Sequence, residues 1–481
     1  MQSLKQKSVD GVIWSLIEKI GIQLVRLILG VILARMLTPA DYGLIGIITV
    51  FFSIVMVFIS SGFGMAFIQK QEANEIDAST IFYFNLMVSF FFYILLWFFA
   101  PFIANFYNEI QLVSLIRVLS IILIINSFTL IQFAKLTKSL DLKKKTVIIL
   151  VSAILSGIAG IIAALLNYGV WSLVIQQIVS ALAKSIGLWF FYKWRPLLLF
   201  RLDSLKSMLS FSTWSLFMGI IVTIFNNIYI LVIGKFFPIA ELGFYTKAKQ
   251  FQQIVSNQMS SAVGEVAFPV FSKIQDDKVF LKTAMRKTSQ YTMFFIAPFS
   301  AIFFVIAKPF FLILLTEKWL PMVPYFQLLL IGGILYPIHM VNVQVLSAQG
   351  KMKLNFILTM IKNSFRIVNI VIMYRYGVIY IIIGEIIVSY ISLIINTYFT
   401  KRFLNYGLLD QLKDLSIFFI TAALLVYFGG LLIEIMENDY LKIIFTVFFI
   451  SIFYLISMYS FQNKLLFEMV NIIKTKFIKQ K

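Results

Sequence analysis

Apolar runs of about twenty residues, separated by short basic gaps, follow one another along nearly the whole chain, and that is the length a helix needs to cross a bilayer. A chain that is 60% hydrophobic and 13% charged has too little polar surface to cover soluble cores. Fourteen spans are predicted, at roughly 12–34, 44–66, 80–104, 111–133, 146–166, 170–192, 207–233, 247–271, 288–314, 323–347, 354–374, 377–399, 414–433 and 441–461. The predicted fold class is an all-α polytopic membrane protein with about fourteen transmembrane helices. The first run carries Glu18, Lys19 and Arg26 and is too long and too charged for a cleaved signal peptide, so it is read as the first span.

The net charge of +20 would point to nucleic acid on a soluble domain, but here the basic residues gather between apolar runs. The gaps 134–145 and 273–287 hold five Lys or Arg each, and 193–206, 348–355, 401–413 and the tail after Lys464 are also basic. The alternate gaps are poor in them: 105–110 and 167–169 have none, and 434–440 is acidic. Only Arg35, Lys235, Lys308, Lys318, Arg375 and Lys442 fall on that side. By the positive-inside rule both termini are expected in the cytoplasm, which suits an even number of spans.

An internal repeat organises the spans. Trp14-Ser15-Leu16 recurs as Trp214-Ser215-Leu216, and at the same offset Ile20 falls on Ile220, Arg35 on Lys235, Ala40 on Ala240, Asp41 on Glu241 and Gly43 on Gly243. At an offset of 208, Lys143 and Lys145 match Lys351 and Lys353, and Tyr168-Gly169-Val170 matches Tyr376-Gly377-Val378. Six spans precede the second copy, so the copies enter the membrane in the same direction, as parallel repeats. The expected domains are residues 1–200 and 201–405, two parallel six-helix bundles. Residues 406–481 add two extra C-terminal helices and a basic tail. A membrane protein of two like bundles is most often a transporter.

Ionisable groups inside spans cost at least about 2.5–3.5 kcal/mol at the centre, so each needs a reason. In the first span Ser15, Lys19, Gln23 and Arg26 share one helix face, and the aligned Ser215, Gly219, Thr223 and Asn226 leave the second copy polar but uncharged there. Such faces would line a hydrated cavity with one basic wall. The plainer reading is that Lys19 snorkels and Arg26 pairs with Glu18. Thr359, Lys362, Arg366 and Asn369 form a second cationic face, opposite Glu385, Ser389, Ser392 and Asn396 on the next span. Arg366 and Glu385 lie at similar depth, which makes an ion pair between neighbouring helices the structural alternative. Arg117 and Lys184 are further cavity candidates, each close enough to a span end to snorkel. The substrate-binding candidates are therefore Arg26, Lys19, Gln23, Arg117, Lys362, Arg366 and Asn226. Glu265, on the polar span bearing Gln250, Gln253, Asn257, Ser260 and Ser261, is the first coupling-ion candidate, with Glu385 and Glu18 beside it. His339 reads as a hydrogen-bonded interior residue rather than a proton relay. No catalytic residue is expected. Zero cysteines and one histidine exclude disulfides, thiolate sites and HExxH metal sites, and no phosphate-binding G-x-x-x-x-G-K-[ST] loop occurs.

The turn after the first span reads LARMLTPADYGL, Leu33 to Leu44, which resembles the L-A-R-x-L-x-P-x-[DE]-[FY]-G motif of WzxC-type polysaccharide exporters. SGFGMAFIQK (Ser61 to Lys70), NYGVWSLV (Asn167 to Val174) and FPVFSKIQDD (Phe268 to Asp277) fit the same family, so the likeness covers nearly the whole chain. Those exporters are similar to O-antigen flippases and share a superfamily with MATE drug exporters and lipid II flippases. The resemblance implies alternating access in a bacterial inner membrane, an undecaprenyl-diphosphate-linked oligosaccharide as substrate, and work beside other polysaccharide assembly proteins. It implies no cofactor beyond a proton or sodium gradient, and nucleic acid is not an expected partner. A MATE-like drug exporter is the nearest alternative, but cationic drugs want acidic cavities and the spans here hold more basic groups than acidic ones. A polysaccharide polymerase or membrane glycosyltransferase would need a sizeable periplasmic loop, and each predicted loop is short.

Overall fold

The computed structural model describes residues 4–60, 67, 74–139, 141–192, 194–461 and 467, and among them every regular element is a helix. In chain order these are α1 (Leu4–Met36), α2 (Pro39–Ser60), α3 (Glu75–Tyr107), α4 (Gln111–Leu119), α5 (Ile121–Ser127), α6 (Leu130–Lys138), α7 (Leu142–Leu165), α8 (Trp171–Phe191) and α9 (Leu202–Phe236). Then come α10 (Ile239–Lys273), α11 (Lys278–Val305), α12 (Ala307–Leu315), α13 (Met322–Gly333), α14 (Tyr336–Ala348), α15 (Met352–Met373), α16 (Val378–Leu404), α17 (Leu408–Ile435) and α18 (Asp439–Phe461). Twelve spans among the described residues are long and apolar enough to cross a membrane. The first and eighth expected spans are helices too, α1 and α10, but their polar and charged residues keep them off that count. Three expected spans are interrupted: α4, α5 and α6 divide the fourth, α11 and α12 the ninth, and α13 and α14 the tenth. Apolar length alone does not register such breaks.

The repeat is visible in the helix ends. α1 ends at Met36 and α9 at Phe236; α2 begins at Pro39 and α10 at Ile239, both at the offset of 200. Gly169 and Gly377, offset by 208, both take positive φ, +54° and +117°, where a side chain would be strained. The Thr38-Pro39-Ala40-Asp41 stretch is a capping box. Thr38 Oγ1 accepts from the Asp41 backbone at 3.3 Å, Asp41 Oδ2 accepts from the Thr38 backbone at 2.8 Å, and Pro39 fills the first helical position. Thr38, Pro39 and Asp41 of the sequence motif thus have a structural duty at a helix start.

Contacts divide the chain into two compact units, residues 1–243 and 244–481. In the first, α1 and α8 pack on α7, while α9 packs on α2 and α3. Close approach depends on small residues, because lipid gives no hydrophobic drive for helices to associate. Gly157 of α7 admits Leu29 of α1, and Gly21 of α1 admits Leu150 of α7. Where α2 and α10 begin, the two copies of the repeat exchange equivalent contacts. A Cβ on Gly43 would overlap the Ile239 carbonyl oxygen, and one on Gly243 would overlap that of Pro39. In the second unit α17 and α18 pack on α11 around Phe418, Leu425, Ile450 and Met293, and α15 pairs with α16.

Candidate functional site

α1 exposes two different surfaces. Its exposed apolar residues, Ile17, Ile20, Leu24 and Ile28, lie on one arc. Gln23 and the exposed Arg26 lie about 135° round the helix from them at 100° per residue. One arc suits lipid and the other suits water. Between them, Glu18, Gly21 and Leu29 face α7. Lys184 of α8 lies within electrostatic range of Arg26, which makes this face doubly cationic. Among the described residues no carboxylate comes within 4 Å of either group, the reach of an ion pair. The side chains of Ser15, Lys19 and Ser215 lie outside the described residues, as does that of Glu265.

The second unit holds a cationic cluster at the junction of α14, α15 and α16. Lys362 Nζ donates to Asn396 Oδ1 at 3.2 Å, which turns the Asn396 amide N–H₂ toward His339 Nδ1, also at 3.2 Å. With Nδ1 accepting, the imidazole proton sits on Nε2 and is donated to Ser389 Oγ at 3.1 Å. His339 is thus a neutral interior residue, as its setting on an apolar span suggested. Arg366 lies within electrostatic range of Lys362 and His339, and it donates to Asn363 on its own helix at 3.2 Å. Neither Lys362 nor Arg366 has a carboxylate within 4 Å among the described residues. On α15 this face turns away from the exposed apolar arc of Ile357, Ile361, Val368 and Val371.

The pairings weighed as structural alternatives are not the ones formed. Glu18 does not take Arg26; it pairs with Lys145 at 3.4 Å and accepts from Thr146 at 3.3 Å, tying α1 to the start of α7. Arg366 does not take Glu385. That carboxylate is 3.7 Å from Lys249 and accepts from the Tyr245 hydroxyl at 3.3 Å. Arg117 is occupied structurally. Pro101 inside α3 has no N–H for the Trp97 carbonyl, and Arg117 Nε donates there at 3.3 Å with its guanidinium 4.0 Å above the Trp97 ring. Asn226 is exposed on α9, with Gly219 of the same expected face packed against Val57 of α2.

Sequence reasoning passed over Tyr245 and Lys249, because their partner lies 140 residues away and periodicity sees only one helix at a time. It also passed over a buried amide chain. Asn342 and Gln411 bond each other at 2.9 Å, and Thr400 donates to Asn342 at 2.9 Å. This joins α14, α16 and α17 one turn from Asn396. Beside it Tyr406 donates to Asp414 at 2.8 Å, and burial together with that carboxylate holds the Tyr406 hydroxyl above its usual pKa. Arg286 pairs with Asp414 at 2.6 Å.

Each unit therefore presents two cations with no carboxylate within 4 Å among the described residues. Such groups suit charge-assisted hydrogen bonds to a phosphate or carboxylate, with the arginine forks able to bind two oxygens at once.

The family described as "Polysaccharide biosynthesis protein" matches residues 32–324. The chain is 28% identical to the teichuronic acid biosynthesis protein TuaB of Bacillus subtilis, over 74% of each chain. It is 24% identical to the lipopolysaccharide biosynthesis protein WzxC of Escherichia coli, over 82% of this chain and 81% of that one. Its fold is similar to that of the lipid II flippase MurJ in an inward closed conformation, with a TM-score of 0.77 and 17% identity. The match covers 95% of this chain and all of that one.

Proposed function

Because the chain belongs to the polysaccharide biosynthesis protein family, we propose that it is a flippase. It moves a polyprenyl-diphosphate-linked oligosaccharide from the cytoplasmic to the periplasmic leaflet of the inner membrane by alternating access. The observation that carries this reading is the set of cations with no carboxylate within 4 Å among the described residues, Arg26 with Lys184 and Lys362 with Arg366. A diphosphate and its sugars cannot enter hydrocarbon without partners, since unpaired charges and hydroxyls lose their hydration. These cations would replace water at the head group. Lys19, Gln23 and Asn226 would extend the polar face beside Arg26. The relatives named above, TuaB and WzxC, support a saccharide cargo by their names. A cationic drug would meet repulsion at both clusters, which disfavours a MATE-like reading. We further propose that an ion gradient drives the cycle, that both termini are cytoplasmic, and that the protein serves beside other polysaccharide assembly proteins.

The test is surface polysaccharide in a deletion strain complemented with each variant and normalised to protein in the membrane. Arg26→Ala should lower export about ten-fold or more, the equivalent of roughly 1.4 kcal/mol of lost head-group binding, and Arg26→Lys should retain part of it. Normal export by Arg26→Ala and by Arg366→Ala would remove the cationic faces from the mechanism.

A further inference from the structure

The second unit contains a carboxylate that is held loosely, in contrast to the others around it. Asp414 is clamped by Arg286 at 2.6 Å and by Tyr406 at 2.8 Å. Glu385, about two turns inside α16, is bound at longer range. Lys249 of α10 gives its short hydrogen bond, 2.9 Å, to the Tyr245 hydroxyl, and Tyr245 passes its own proton to Glu385 at 3.3 Å. The direct Lys249–Glu385 separation is 3.7 Å, well beyond the usual 2.7–2.9 Å of a charged hydrogen bond. Tyr245 is fully buried, whereas the side chains of Lys249 and Glu385 remain 18% and 27% exposed. A partly exposed carboxylate inside a membrane helix, with a fixed buried hydroxyl behind it and a slack ion pair, has the makings of a protonation site.

We propose that Glu385 is the proton-coupling carboxylate of the transporter, with Lys249 as its exchangeable counter-ion and Tyr245 as the hydroxyl that positions both; this rests on the flippase reading. Protonation neutralises Glu385 and frees the Lys249 ammonium; deprotonation to the opposite phase recaptures it. The Lys249 ammonium already fills the cation position, so a sodium ion at these oxygens would face like charge, and the coupling ion is a proton. The other charged or titratable groups near Glu385 are His339, which bonds Ser389 one turn along α16, and the Lys362 and Arg366 cations within electrostatic range of His339.

Two measurements on the full-length protein test this. Infrared pH titration of purified protein should show a protonated-carboxyl stretch that disappears in Glu385→Gln. In proteoliposomes, an NBD-labelled polyprenyl-diphosphate N-acetylglucosamine should move at least five-fold faster under an imposed pH gradient, and no faster under a sodium gradient at equal pH. The ratio of driven to undriven rate should fall to one in Glu385→Gln and stay there in Lys249→Gln/Glu385→Gln. Recovery of the ratio in the double variant would make the pair a structural bridge and overturn the proposal, as would sodium-driven movement or the lack of a titrating Glu385 band. A titrating band in a protein that moves no probe leaves the protonation site standing and counts against the flippase reading.

Discussion

At the scale of single residues, the decisive question for each charge inside a helix is what already holds it. Arg117 and Arg26 look alike in sequence, each a lone guanidinium within an apolar run. Arg117 is held by the carbonyl that Pro101 leaves without a donor, and Arg26 is not held by any carboxylate among the described residues. This difference is open to a double-mutant cycle. Arg117→Ala should lower the stability of the purified protein by about 1–3 kcal/mol, the cost of leaving the Trp97 carbonyl without a donor within a membrane helix. Pro101→Ala restores the missing N–H, so Arg117→Ala in that background should cost at most half as much, read from thermal unfolding in detergent. Equal losses in both backgrounds would show that the Trp97 carbonyl is not what Arg117 serves. The sequence displayed Arg117 and Pro101 sixteen residues apart on different helices, and nothing in periodicity connects a proline on one helix to an arginine on the next. The same blindness hid Lys249 and the Lys145 partner of Glu18, and it offered Arg366 as a partner for Glu385.

At the scale of elements, the helix starts were legible and the helix interiors were not. Thr38, Pro39 and Asp41 act through neighbours three residues away, so their capping box can be read directly from the chain. The break at Ser120 sits in sequence without Gly or Pro nearby, whereas Ile306 precedes Pro309 and Leu335 lies between Gly333 and Pro337, cues that a count of apolar length ignores. α1 and α10 carry the polar faces singled out from spacing, and that polarity is the reason they fail an apolar-length test. The reciprocal contact of Gly43 and Gly243 predicts a steric effect at two equivalent positions. Gly43→Ala and Gly243→Ala should each reduce surface polysaccharide at least five-fold, because a methyl group there meets main-chain oxygen rather than a movable side chain. Gly430→Ala, where a Cβ would meet open space, is the control and should export normally. Equal export by all three variants would show that the contact is dispensable.

At the scale of the whole molecule, charge distribution makes the claim that is easiest to check. Lys145, Asp277 and Lys401 are expected on the cytoplasmic side, and Asn108, Tyr168 and Glu437 on the periplasmic side. The chain has no cysteine, so single cysteines at these positions can be labelled with an impermeant maleimide in intact spheroplasts. Labelling at Asn108, Tyr168 and Glu437 alone is the expected outcome; labelling at Lys145 without Tyr168 would invert the orientation. The copies have meanwhile specialised: Arg26 has Asn226 at its aligned position, and the cationic face of α15 has no charged counterpart on α7. The crossing of Gly43 and Gly243 sets a limit on that divergence. An ion pair can be inverted by exchanging its partners, and a packed pair can trade volume from one side to the other. Here the nearest atom to each glycine is a carbonyl oxygen, which every residue supplies, so position 39 can be proline and position 239 isoleucine while that main-chain contact is kept. A side chain gained at 43 or 243 has no complementary substitution across from it. Two descendants of one duplicated segment are therefore free to drift apart in charge and cargo chemistry while remaining bound to a shared, uncorrectable pair of glycines.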